Sequence, residues 1–218
     1  MQIPILFRDQ RFVVLDKPAG LAVHAGPRGG PSVEDVFPSL SRRRDGPWLA
    51  HRLDADTAGC LVVALRHAAL IAAQAAFAEG RAEKTYWAIV RGTPATESGI
   101  VDAPLLRQTA PTGWRMLTDP KGQRAVTEWQ LRGRGPGISW IEFRPRTGRT
   151  HQIRVHATLL GCPLLGDPVY GGGPGRLHLL ARAIRLPLDP PLVAEAPVPA
   201  HMLVAMAACG FSQSGTKA

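Results

Sequence analysis

Residues 49–65, LAHRLDADTAGCLVVAL, run four ionisable side chains straight into an apolar segment. His51, Arg52, Asp54 and Asp56 lie just ahead of Gly59–Leu65, whose unbroken apolar character reads as a buried strand. Charges at the mouth of a core strand are costly unless they are paired or used. Asp54 and Asp56 are two apart, so on an extended segment they would share a side. Paired carboxylates suggest glycosyl chemistry, in which one of them stabilises or attacks an anomeric carbon. The plain alternative is a loop in which an aspartate caps a turn.

Working outward, Phe12–Leu15 reads as a short strand halted by Lys17-Pro18-Ala19-Gly20, a turn signature. A Gly/Pro-rich loop, GPRGGPS at 26–32, precedes a possible short helix over 33–40. Arg42-Arg43-Arg44 reads as a solvated basic loop or, alternatively, as a contact to an RNA backbone, the solvated loop being the slightly favoured reading. Residues 66–79 are Ala-rich, with Leu70, Ile71 and Phe77 apolar and Gly80 as a stop, and predict a helix. KTYWAIV (84–90) has strand chemistry, with Tyr86, Ala88 and Val90 on one face. Strands are expected at 125–131 and 138–143, with RGRGPG turning between them. Thr150 is the expected cap of a helix running to Leu160 and ended by Gly161, with Ile153, Ala157 and Leu160 as its buried stripe. A Pro-rich segment, LPLDPPLVAEAPVPA, then leads to a last short helix over 201–208. Strands that neighbour one another in sequence point to an α+β fold with a mixed, largely antiparallel central sheet flanked by helices and loops. One domain is expected over 1–218, with its core at about 5–208 and a disordered tail at 210–218.

Lys and Arg number 26 against 17 Asp and Glu, a net charge of +9, and only Lys17, Lys84, Lys121 and Lys217 are lysines. Arginine grips phosphate through a planar fork, so this excess favours a nucleic-acid partner, although a GC-rich genome would also enrich Arg, Ala, Gly and Pro. Cys60, Cys162 and Cys209 are odd in number and far apart, which fits buried free thiols rather than disulfides or a zinc site. The N-terminal residues show no signal peptide and no apolar run reaches the length of a membrane span, so a cytoplasmic location is expected. The sequence has no GxxxxGK[ST], GxSxG, HExxH or CxxC, which argues against phosphate-loop, nucleophile-elbow and zinc chemistry.

A second charged stretch is RPRTGRTHQIRVH, 144–156. Residues 147–150 lead into a helix N-terminus, where backbone N–H groups favour an anion, and Arg146 and Arg149 add charge there. His151 and Arg154 are three apart on one side of that helix. A buried Arg154 would need a carboxylate, for which Asp54 is a candidate. The plain alternative is a surface helix with solvated cations.

Three strings together, HRLDADTAGCLVVA, KTYWAIV and GRTHQIRVHATLLGCPLLGDPVYGG, resemble the RluA-type RNA pseudouridine synthases. Weaker echoes at 13–26, 122–129 and 176–190 occur in the same order, and the resemblance spans about residues 5–208. It implies the pseudouridine synthase fold and the isomerisation of uridine to pseudouridine in RNA, tRNA or ribosomal RNA, by a monomer without metal or cofactor. It makes Asp54 the catalytic carboxylate, Arg154 its charge partner and Tyr86 the aromatic that packs on the target base. Arg52 would fill the gap left by the flipped uridine. With Arg52, the expected substrate contacts are His51, Arg149, Thr150, His151 and Gln152. Asp56 carries no role from the resemblance. Ala55 stands where the family often has a larger, basic residue. The catalytic pattern starts at about Ile5, so no separate small RNA-binding domain is expected ahead of it. The competing readings are an RNA-binding or RNA-folding protein and a base-cleaving glycosylase using Asp54 and Asp56.

Overall fold

The structure is a computed structural model and describes residues 1–26, 29–43, 45–111 and 113–212. Arg44 of the basic triplet, Pro27 and Arg28 of the Gly/Pro loop, and 213–218 of the expected tail lie outside the described residues. In chain order the elements are β1 (Ile5–Arg8), β2 (Phe12–Lys17), a 3-10 turn (Val33–Val36), α1 (Phe37–Leu40), β3 (Trp48–Leu49), β4 (Ala58–Ala64), α2 (His67–Ala78), β5 (Glu83–Arg91) and β6 (Ser98–Asp102). They continue with β7 (Leu105–Ala110), β8 (Gly113–Thr118), β9 (Val126–Gly135), β10 (Ile138–Pro145), α3 (Gln152–Leu159), β11 (Leu179–Leu186), β12 (Leu192–Glu195) and α4 (Ala200–Ala208). The fold is α+β, as expected, and the chain forms two compact units: 1–85 with 180–197, and 86–179 with 198–218.

In the first unit the strand order is β1-β2-β4-β11, with β3 pairing β4 and β12 pairing β11. The β4–β11 pair is parallel and the others in this unit are antiparallel, which makes the sheet mixed. Every residue of β4 is buried, as its continuous apolar run requires of a central strand. Its first turn explains one glycine. A Cβ on Gly59, whose φ is +104°, would lie 2.3 Å from the Ala181 carbonyl of β11, so only glycine lets the two strands meet there. Helix α2 buries Ala69, Leu70, Ala73 and Ala76, while the apolar Ile71 faces solvent. Three alanines and Leu70 form the packed stripe, and of the larger side chains singled out from sequence Leu70 is buried, Phe77 half-buried and only Ile71 exposed. Gly80, at φ +70°, ends the helix as expected.

In the second unit β5-β10-β9-β6 follow one another, all antiparallel, and β7-β8 form a separate hairpin. Ala88, Val90, Ile141 and Phe143 pack against Ile153 and Ala157 of α3, with Tyr86 and Leu160 at the edge of this core. The expected α3 stripe is therefore the buried one. β9 and β10 are longer than the sequence suggests, since RGRG continues the ladder to Gly135 before the turn. The Pro-rich stretch after 185 is not a plain connection: Leu192–Glu195 pairs with β11 between its prolines. Order extends past 210, where the Phe211 ring meets Trp87 and Trp140 edge-on at 5.8 and 5.7 Å. Cys60, Cys162 and Cys209 are free and buried, and burial raises all three thiols, Cys60 to about 12 with a further push from Asp16.

Candidate active site

Asp54 does not sit on an extended segment. Thr57 N–H donates to Asp54 O at 3.1 Å, closing a turn over 54–57 immediately before β4. Asp54 is half-buried and Asp56 exposed, so the expectation that both share a side is corrected. The turn is anchored at Ala55. Its carbonyl accepts from Gly20 N at 2.9 Å and from Lys17 Nζ at 2.6 Å.

Lys17, read from sequence as part of a turn signature, is fully buried. Its ammonium has three N–H donors and meets three carbonyls, Pro18 at 2.9 Å, Leu21 at 2.8 Å and Ala55 at 2.6 Å. Burial pushes this amine down to about 8, opposed by the charges of Asp56 and Asp54. It is therefore still mostly charged at neutral pH, and one lysine ties the KPAG turn to the Asp54 turn. Replacing Lys17 by Met keeps the stem and removes the donors. The variant is expected to lose about 2–4 kcal/mol of stability in a denaturant titration, because buried carbonyls lose their partner. An unchanged midpoint would contradict the anchor.

His51 braces the same strand. Its Nε2 accepts from Val62 N of β4 at 3.0 Å, and the ring packs on Phe77 of α2 at 5.0 Å. Burial, with a smaller push from the Lys84 charge, lowers this imidazole to about 4. The folded value lies below the ordinary 6.5, so the unfolded chain takes up the proton first. Stability is then flat above about pH 6.5 and falls as pH drops from 6.5 toward 4. Part of the residue reaches solvent, so the loss is discounted to about 2 kcal/mol. Urea midpoints across this window should show the slope, and His51→Gln, whose amide oxygen can accept the Val62 N–H, should flatten it. Arg52, beside it, is exposed.

The second unit holds the other predicted residues. Tyr86 lies opposite Phe143 of β10 and is half-buried against the α3 core. The helix begins differently from the expectation: its N-cap is His151, not Thr150, and His151 is the one non-glycine residue with positive φ, +54°, among the described residues. A left-handed imidazole-bearing residue costs on the order of 1 kcal/mol, which its surroundings offset. The ring stacks on Trp114 of β8 at 5.0 Å and meets Tyr170 edge-on at 5.6 Å. The Tyr170 hydroxyl accepts Met116 N–H and is hydrogen-bonded to His151 Nδ1 at 2.9 Å.

Gln152 secures the helix start. Its Oε1 accepts from Thr147 Oγ1 and Arg149 N, and its Nε2 donates to Val126 O and Thr127 Oγ1. The amide thus takes the Arg149 N–H, one of the donors ahead of the helix. Arg149 is exposed, its Nε donating to Arg124 O, and Thr150 is half-buried.

Arg154 is buried, which removes the alternative of a solvated surface helix. Its Nε and Nη2 donate to the two carboxylate oxygens of Asp167, each at 2.8 Å, and its guanidinium lies 5.2 Å from the centre of the Tyr170 ring. Asp167 also accepts Val169 N–H at 2.9 Å and Tyr170 N–H at 3.2 Å, turning the chain locally. Burial pushes this carboxyl up. The Arg154 hydrogen bonds and charge, with the two N–H groups, outweigh it and hold the group below the usual carboxylate range. The loop needs its glycines: a Cβ on Gly172 would lie 1.6 Å from the Leu164 carbonyl. Asp167, Tyr170, Lys17 and Trp114 were not singled out as site residues from sequence. For the first two the signal was present, since GDPVYG has an aspartate where an Asx turn would use it. For Lys17 and Trp114 it was not.

Among the described residues no group of His, Cys, Asp and Glu is arranged to hold a metal, and no helix is long and apolar enough to cross a membrane. The chemistry on offer is carboxylate, guanidinium and phenol.

Comparison with known proteins bears on both units. Residues 11–159 match the family described as RNA pseudouridylate synthase. An uncharacterized RNA pseudouridine synthase of Zymomonas mobilis is 43% identical over 204 residues, covering 89% of this chain and 93% of that protein. Ribosomal large subunit pseudouridine synthase D of the same organism is 38% identical over 191 residues, covering 84% of this chain but 60% of that protein. The solved structure of human RNA pseudouridylate synthase domain containing 4 superposes with a TM-score of 0.81 at 27% identity, covering 97% of this chain and 94% of that one. The match takes in the Asp54 turn, Tyr86 on β5 and the start of α3 alike, and with it the chain belongs to the RNA pseudouridylate synthase family, whose members are isomerases acting on RNA.

Proposed function

We propose that this chain converts particular uridines of structured RNA, tRNA or ribosomal RNA, to pseudouridine, with Asp54 as the catalytic carboxylate. The observation that carries this reading is the Asp54 turn itself. It is pinned through Ala55 by a buried lysine and a backbone N–H at the head of a fully buried strand. Such bracing holds a reacting group within the narrow geometry that catalysis needs.

In the reaction the N1–C1′ glycosidic bond breaks, the uracil rotates, and C5 bonds to C1′. The C5 hydrogen leaves as a proton and N1 gains one, so RNA mass is unchanged. In this reading Arg154 keeps the carboxylate ionised and oriented, Tyr86 packs on the extruded base, and Arg52 holds the RNA open, as base extraction requires. Arg149, Thr150 and His151 are the contacts assigned to the RNA, Gln152 being buried behind them. Gln152 and His51 act mainly by holding backbone in place. The protein works in the cytoplasm as a monomer, without metal or cofactor, and its two units function as one catalytic domain.

The test is RNA transcribed with uridine tritiated at C5. Release of tritium to water without free uracil supports isomerisation. Free uracil and abasic sites would favour the glycosylase reading. RNA binding without release from either tRNA or ribosomal RNA would favour a binding protein.

A further inference from the structure

The first unit carries an open cleft of about 710 Å³ that the catalytic reading does not use. It lies where the end of β1, the end of α1 and the start of α2 converge, and Arg8, Arg42, Arg43 and Arg66 line it. Asp9 is the one carboxylate among the lining residues, and it is already engaged, accepting Arg11 N, Phe12 N and Arg11 Nε. Arg43 faces Asp45 at 3.4 Å, whereas no carboxylate among the described residues pairs with Arg8, Arg42 or Arg66 within 4 Å. Arg8 donates to Leu40 O at 2.9 Å and Arg66 to Gln10 O at 3.4 Å. Neutral carbonyls brace these two guanidiniums without cancelling their charge. Four arginines against Asp9 in the lining and Asp45 beside Arg43 and Arg66 leave a net positive concave surface, which concentrates its field on an incoming anion.

We propose that this cleft is a second RNA-binding site that takes backbone phosphates of the substrate outside the target nucleotide. The proposal rests on the reading of the chain as an RNA isomerase, and extends it to how the RNA is held. Position supports a separate role. Asp54 precedes the first residue of β4, and the cleft residues Leu65 and Arg66 follow its last. Six strand steps put the two ends about 20 Å apart. Lys17 pairs at the Asp54 end of β4 and Phe12 at the cleft end, so β2 gives the same polarity. The lining has no aromatic platform, and Gln10 is its one side-chain amide beside four arginines. Arginine forks without a stacking surface suit phosphates, giving affinity and register but no base readout. Two of the three arginines that read as a solvated loop or a contact to an RNA backbone thus take the second role.

The test is a salt titration of binding to total tRNA and to fragmented ribosomal RNA, from 50 to 200 mM, in an Asp54→Asn background that prevents turnover. Arg42→Gln/Arg43→Gln/Arg66→Gln is compared with Arg81→Gln/Arg134→Gln/Arg185→Gln, which removes the same charge from exposed arginines paired with Glu79, Glu97 and Glu83. The cleft variant should bind about tenfold or more weakly at 150 mM, with the slope of log K against log salt shallower by about 2–3. The control should move the slope by less than one. Equal effects from both sets, or no effect from the cleft set, overturn the proposal. Arg42→Glu/Arg43→Glu, confined to the loop after α1, covers the case in which loss of Arg66 disturbs the start of α2, and should weaken binding likewise. RNA that binds through the cleft but releases no tritium with the wild-type protein would sink the enzymatic reading and leave the cleft standing.

Discussion

Asp54→Asn is expected to abolish tritium release from C5-labelled RNA, by about 10⁴-fold or more, while changing RNA affinity less than about threefold. Asn has the shape of Asp but neither its charge nor its basicity, so it can neither attack carbon nor accept a proton. The fold should tolerate it. The hydrogen bond that closes the 54–57 turn is made by the backbone carbonyl of residue 54, and the anchor at Ala55 belongs to Lys17 and Gly20. RNA binding should therefore match the wild type, and the melting temperature should fall only modestly, by what the buried Lys17 ammonium loses with the Asp54 charge. Turnover above about one per cent of wild type would remove Asp54 from the centre of the chemistry. Loss of turnover that only tracks a large fall in stability would mean that the side chain serves the turn instead.

Asp167→Ala should be the most destabilising single change in the second unit, costing about 3–5 kcal/mol. Asp167 is fully buried, and its two oxygens serve four donors: two Arg154 nitrogens and the Val169 and Tyr170 N–H groups. Its removal takes the bidentate partner from a buried guanidinium and opens the turn that carries Tyr170. In a chain of this length the melting temperature should fall by about 10 °C. The ion pair also has a pH signature. Because the folded carboxyl is held below its ordinary value of 3.8, its contribution is complete above about pH 4 and is lost as pH falls through the lower folded value. Asp167→Asn should erase that acid-limb loss. Asp167→Leu combined with Arg154→Met should be less destabilised than Asp167→Leu alone, since the buried guanidinium is removed together with its bidentate carboxylate. Additive losses in that double variant would show that the two residues do not act as a buried pair. Turnover should drop in every one of these variants, because Arg154 either loses the fork that fixes its orientation or is itself replaced.

The site was legible in part. Asp54, Tyr86 and Arg154 stand out because they sit in strings whose order along the chain identifies the family. The sequence leaves the burial of Arg154 open, since the residue lies to one side of the Ile153/Ala157/Leu160 stripe and reads equally as a solvated cation. Its bidentate partner was not legible: Asp167 lies thirteen residues away across a glycine turn, and an acidic residue in such a turn looks solvated. The cap of α3 was misread for a related reason. Thr150 has the better capping chemistry, but the Gln152 amide takes the Arg149 N–H, and Trp114 and Tyr170 hold His151 left-handed. Local preference yielded there to tertiary contacts.

By itself the sequence determined the α+β class, the principal strands and helices, the free thiols, the family and the candidate catalytic aspartate. Those depend on alternation, helical period, glycine stops and short strings, all of which are local. Only the tertiary structure decided that Asp54 stands on a turn rather than a strand, that Lys17 is buried beneath it, and that four arginines from three separate segments meet in one cleft. Each of these depends on residues far apart in the chain. Hydrogen-bond partners and the burial of a charge are settled by which segments the packed core brings together, and no local pattern records that.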